Sequence, residues 1–331
     1  MGVLSQRIVL RLLADAGLRP AALQLIPLAA AEDELAAGFS RPALAELAAA
    51  FPCVIAAGDD ARLPPAIRDA ARAAGCRIVD DGAILVPDAP PAAPLPGGVR
   101  YLAGDALLQL PARSVADKTG SRTLALRLAQ LVASDAETRE IEEVFRLEPT
   151  LSYHLLRLVN SPGVGAGRQI TSFAQAILIL GRNQLRRWLN LLLFAARKDD
   201  PRAPMLMARA SARARSLELL AKAAGYDRDG QERAFMAGMF SLLGVMFGMP
   251  LADVLQPLRL DESVVAALLR REGELGDLMA AVEAGERGDL DRLAGRLADA
   301  VAADVDVDGI FLDAHRWTLG LIREAGESGH G

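Results

Sequence analysis

Aromatic residues make up only 4% of this 331-residue chain, so its core must be filled by other apolar side chains, mainly Ala and Leu. Histidine occurs three times, at His154, His315 and His330, which leaves little material for imidazole-based metal or acid–base chemistry. The two cysteines, Cys53 and Cys76, form neither a disulfide framework nor a CxxC pair, a usage that suits a reducing cytoplasm. No long Lys/Arg run is present, and 37 basic residues against 42 acidic ones give a net charge of -5, so no nucleic-acid partner is expected. Residues 1–20 lack an unbroken apolar centre because Arg11 and Asp15 interrupt it, which argues against an export signal.

One long uncharged run is present, AFMAGMFSLLGVMFGMPLA at 234–252. It has nearly the length of a membrane span but contains Gly238, Gly244, Gly248, Ser241 and Pro250, and lacks flanking Trp/Tyr and Lys/Arg anchors. It reads as a buried core helix, and the protein is expected to be cytoplasmic with no membrane contact.

What is there points to a folded multidomain α+β protein, with 52% apolar and 24% charged residues. LQLIPL (23–28) and CVIAAG (53–58) read as strands, 42–51 and 64–75 as helices, and 76–86 as a third strand region turning at Asp81-Gly82. That alternation predicts a small α/β unit with a largely parallel sheet. PDAPPAAPLPGG (87–98), with five prolines and two glycines, is a linker or surface loop. From about residue 113 the apolar spacing is helical. Helices are drawn over 120–133, 136–147, 149–160, 170–180, 182–197, 204–224, 230–248, 261–271, 275–285, 289–303 and 309–325. The domains expected are therefore 1–110 and 111–331.

Several motifs carry a functional and a plainer reading. GVGAGR (163–168) is phosphate-loop-like but follows a helix, which favours a simple inter-helix loop. DVDVDG (304–309) opens like a calcium loop, yet the position that needs a bidentate Glu is His315. The acidic pairs Asp59-Asp60, Asp80-Asp81 and Asp199-Asp200 are candidate ligands. Asp80 and Asp81 stand out because they end a strand, where α/β folds place ligand sites; a turn with Gly82 is the alternative.

Three stretches, EIEEVFRLEPTLSYHLLRLVNSP (140–162), ITSFAQAILILGRNQLRRWLNLLLFA (170–195) and ERAFMAGMFSLLGVMFGMPLADVL (232–255), resemble the HDOD domain. This is a catalytically incomplete relative of the HD metal-dependent phosphohydrolases of bacterial signalling. Within it the motif positions are Asn160, Ser161, Pro162, Gly181, Arg186, Arg187 and Trp188. Their plainer roles are a helix end at Asn160 and core packing at Trp188. RRWLNLL (186–192) and RREGELGDLMAAVEAGERGDL (270–290) resemble more narrowly the EAL-HDOD architecture.

An EAL domain hydrolyses cyclic di-GMP with two metals in a strand barrel. Residues 1–110 resemble only a shortened, degenerate piece of it, without the Glu-Ala-Leu signature, and Asp80-Asp81 fall on the family's paired aspartates. A closed eight-stranded barrel cannot be made from three or four strands.

The His-Asp pair of HD hydrolases corresponds to Ser241-Leu242, a weak ligand and none at all. The resemblance thus implies a non-catalytic signalling scaffold without cofactor, acting through an unknown signalling protein. Cyclic di-GMP binding, or residual phosphodiesterase activity near the N-terminus, remains the alternative.

Overall fold

The computed structural model describes residues 8–28, 32–88, 95–109, 200–256, 260–302 and 305–327, with Gln130, Ser134, Glu137 and Glu140 described singly. Strands β1 (Ile8–Ala14) and β2 (Pro20–Pro27) form a hairpin, followed by helices α1 (Glu32–Phe39) and α2 (Pro42–Ala50). Then come β3 (Cys53–Ala56), α3 (Ala57–Arg62), α4 (Pro65–Ala73), β4 (Arg77–Val79), β5 (Ile84–Leu85) and β6 (Tyr101–Leu102).

The strand order is β4-β3-β2-β1-β6-β5. β1 is antiparallel to both β2 and β6, whereas β2–β3, β3–β4 and β5–β6 are parallel. The sheet is therefore mixed, not largely parallel. The expectation lacks IVLRLLA, which the sequence reading weighed only in rejecting an export signal; it is a central strand, buried at every position. Strands covered on both faces lose the alternation that marks half-buried ones.

The region 76–86 supplies two strands at opposite ends of that order. In a flat sheet six strands would place β4 and β5 about 24 Å apart. The chain from Val79 to Ile84 spans at most about 18 Å, so the sheet must curl. Its concave face holds Leu13, Ala22 and Val54, against which Val79, Ile84 and Tyr101 pack, one residue from each of the six strands. The count exceeds the three or four strands read from the sequence, and five of the six lie in short runs or in the N-terminal stretch. On the other face Leu10, Leu12, Leu23, Leu25 and Ile55 join Phe39, Leu44, Leu47 and Ile67 in the main core.

The second half is helical: α5 (Ala203–Ala223), α6 (Arg228–Phe240), α7 (Leu243–Phe247), α8 (Leu251–Leu255), α9 (Glu262–Arg270), α10 (Gly273–Arg287), α11 (Leu290–Ala300) and α12 (Val307–Glu327). The helices drawn between 120 and 197 lie outside the described residues. Run 234–252 is buried as expected from Ala234 to Leu243, but Gly248, Pro250 and Ala252 are exposed, and it is not one helix. It breaks at Ser241-Leu242, and α7 ends at Gly248 in the left-handed conformation (φ 65°). Among the described residues no helix is long and apolar enough to cross a membrane.

The two halves are not separate bodies. α12 packs on α2 and β1, and α10 packs on β1. The Ile8 amide donates to Asp308 Oδ1 (3.0 Å), Arg41 pairs with Asp306 (2.7 Å), and Arg316 pairs with Glu46 (2.9 Å).

Candidate functional site

Among the described residues, a buried polar network lies where α5, the end of α6, and α10 meet. Arg209 and Arg213 are four residues apart on α5 and share a face; Glu283 and Glu286 are three apart on α10 and share another. Arg213 Nε and Nη2 donate to the two oxygens of Glu286 at 2.7 and 2.6 Å, a fork-to-fork pair. Its Nη1 donates to Ser241 Oγ (3.1 Å) and stands 3.3 Å from Glu283 Oε1. Ser241 in turn donates to the Gly238 carbonyl (2.6 Å), a bond that competes with the helix ladder and accompanies the break there. Glu283 is also held by Arg271 at 2.7 and 2.9 Å.

One turn before Arg213, Arg209 is 2% exposed and contacts Gly104 O (3.3 Å), Asp105 (3.4 Å) and Glu286 (3.6 Å). Asp105 also pairs with Arg287 at 3.5 Å. The chain of charges Arg213–Glu286–Arg209–Asp105 therefore runs from the helical half into the loop after β6. Burial pulls the Arg213 pKa down, but Glu286, by charge and hydrogen bond, and Glu283 outweigh it and raise it. Burial raises Glu286, and the opposing Arg213 and Arg209 bring it below its ordinary value.

A cleft beside this network is lined by Val9, Leu12, Arg209, Ser216, Phe311 and His315. His315 Nδ1 lies 2.8 Å from the Phe311 carbonyl, which can only accept, so Nδ1 carries the proton. Burial lowers the His315 pKa, while that bond and the Glu286 charge oppose the shift.

The folded ring thus stays neutral where the unfolded one charges, and the unfolded state binds the extra proton. His315 therefore withdraws stability as pH falls below about 6.5, with the loss complete below its depressed folded pKa. The urea midpoint is expected to fall between pH 7 and 5.5, with a shallower fall in His315→Asn; equal slopes would exclude His315 as the source.

The sequence candidates fare unevenly. Asp81 Oδ1 accepts from the Gly58 amide (2.9 Å), and a Cβ on Gly58 would stand 2.8 Å from Asp81 Oδ2. Asp81 thus ties the start of α3 to the turn after β4, while Asp80 precedes that turn without capping it. Asp59 lies close enough to feel both Asp81 and Arg11, and burial raises its pKa. Among the described residues no three His, Cys, Asp or Glu are placed to hold a metal.

Asp306 and Asp308 anchor the start of α12, Asp306 accepting from the Gly309 amide (3.1 Å). Asp200 pairs with buried Arg202 (2.8 Å), which also donates to Gln109 O (2.6 Å). Asn160, Ser161, Pro162, Gly181, Arg186, Arg187, Trp188, His154 and His330 lie outside the described residues. Arg209, Arg213, Glu283 and Glu286 were missed. The signal was Arg209 and Arg213 one turn apart within the small-residue run ARASARA (208–214), with Glu283 and Glu286 in AAVEAGER (280–287).

Leu242 is 3% exposed and offers no ligand atom, and the Ser241 hydroxyl is engaged by a guanidinium. The residues at this position do not fit a metal.

Residues 122–259 match the HDOD domain family. A 183-residue stretch is 29% identical to the cyclic di-GMP phosphodiesterase CdgJ of Vibrio cholerae, covering 55% of this chain and 42% of that one. A 166-residue stretch is 27% identical to the protein YuxH of Bacillus subtilis, covering 50% of this chain and 40% of that one. The matches thus span about two fifths of these relatives' lengths. A crystal structure of an HDOD domain protein from Geobacter sulfurreducens aligns with TM-score 0.38 and 16% identity, over 61% of this chain and 90% of the other. On the sequence match at 122–259, which includes α5 to α8, this chain contains an HDOD domain.

Proposed function

We propose that the chain is a non-catalytic cytoplasmic signalling module that acts by binding another protein through its HDOD-containing half. The observation that carries this reading is at Ser241-Leu242, where a hydrolase would need ligands and this chain has an arginine-bound hydroxyl and a buried leucine. Residues 8–109 are, in the same reading, a shortened EAL-like unit that has become a support for the helices. Asp81 serves a backbone amide there, and no metal-type cluster surrounds it among the described residues.

A second reading, cyclic di-GMP binding, is favoured by the name of the Vibrio cholerae relative.

The test uses the full chain. Calorimetric titration with cyclic di-GMP, with and without Mg²⁺ or Mn²⁺, is expected to show neither heat nor turnover. The tagged chain is expected to retain a defined protein from host lysate that excess untagged chain displaces. Metal-dependent hydrolysis that disappears in Asp80→Asn/Asp81→Asn would overturn the non-catalytic reading, and failure to retain a competable partner would overturn the scaffold.

A further inference from the structure

The surroundings of Arg213 are those of a binding site whose occupant is part of the chain. Its side chain is 5% exposed, and those of Glu283 and Glu286 are 12% and 16% exposed. Two edges of the guanidinium plane are met by oxygens: Glu286 takes the Nε/Nη2 edge, while Ser241 and Glu283 face Nη1. Because the Ser241 proton is directed to Gly238 O, its lone pairs are available to the cation. Two of the acceptors come from α10 and the third from the residue that ends α6, whereas the arginine is on α5.

Two carboxylates and an aligned hydroxyl, withdrawn from solvent, constitute a demand for positive charge. Arg271 on Glu283 and Arg209 at 3.6 Å from Glu286 meet only part of that demand, so without Arg213 Glu286 would lose both of its short hydrogen bonds in a medium that screens charge poorly. The in-plane, two-point approach of Glu286 suits a flat guanidinium better than a bare ion.

We propose that Glu283, Glu286 and Ser241 form a cation seat shaped for a guanidinium, filled from within by Arg213, so that the polar centre of the helical half needs no metal. The proposal rests on these contacts and stands independently of the signalling role.

The experiment is thermal unfolding of the full chain and of Arg213→Ala, in chelator, with about 20 mM guanidinium chloride, far below denaturing levels. Parallel samples carry matched NaCl, or Mn²⁺ or Zn²⁺ without chelator. Arg213→Ala is expected to lose about 10 °C in Tm. Guanidinium should restore part of that loss, matched NaCl should not, and the wild type should not respond to it. The double variant Arg213→Ala/Glu286→Gln should lose the response.

Should Arg213→Ala fail to accumulate folded, its refolding yield from urea with and without guanidinium gives the same readout. Rescue by Mn²⁺ or Zn²⁺ in place of guanidinium, rescue by no cation, or a response that survives in the double variant would each overturn the proposal.

Discussion

Gly238→Ala is expected to destabilise the protein by roughly 3 kcal/mol, although alanine is the better helix former. A Cβ at this position would lie 2.3 Å from Ala214 Cα, 2.4 Å from Ala214 N and 2.7 Å from Arg213 C. All three are backbone atoms of α5, so no side chain can swing aside and the two helices must separate. Separation would also pull the Gly238 carbonyl from Ser241 and Ser241 from Arg213, so packing and polar losses coincide. Gly295→Ala on α11, where nothing lies within 4 Å, is the control and should stabilise by about 0.5–1 kcal/mol. Urea unfolding followed by circular dichroism measures both. A Gly238→Ala protein within about 0.5 kcal/mol of wild type would mean that α5 and α6 are not so close in solution.

Residues 111–331 produced alone are expected to lose cooperative unfolding and to bind a hydrophobic dye, as a molten state does. The sequence suggested that this segment would be a domain in its own right, but its last helix belongs partly to the other half. α12 leans on α2 and β1, and Asp308 needs the Ile8 amide. Arg209 would lose Gly104 O and Asp105, and Arg202 would lose the carbonyls of Leu108 and Gln109. Apolar residues of α5, α10 and α12 would become solvent-exposed together. The full chain should unfold in a single transition by calorimetry. A sharp transition at the same Tm in the fragment would show that the helical half stands alone.

Helices were legible where their signals were local. The ends of α5, α9, α10 and α12 fall within two residues of the periodic runs, and Asp261 and Asp289 accept from the first-turn amides of α9 and α11. The break at Ser241 was not legible, because the partner of its hydroxyl, Arg213, is 28 residues away. β1 escaped notice because it is apolar on both faces and has Arg11 in the middle. That arginine is accommodated by Gln24 on the neighbouring strand and by the Arg287 carbonyl at the end of α10. Ser241-Leu242 was legible through the resemblance to HD hydrolases, as the position that matches their His-Asp pair. The guanidinium that defines its chemistry could be found only once α5, α6 and α10 were placed together.

The bond from Ile8 to Asp308 joins residues 300 positions apart. At about 5–20 residues per second of synthesis, β1 waits roughly 15–60 s after leaving the ribosome before α12 can reach it. During that interval an apolar hairpin is without one of its covers. The nascent chain is thus most exposed to mispairing and to chaperone capture at this hairpin, and completion of the sheet-bearing half is timed by the emergence of α12.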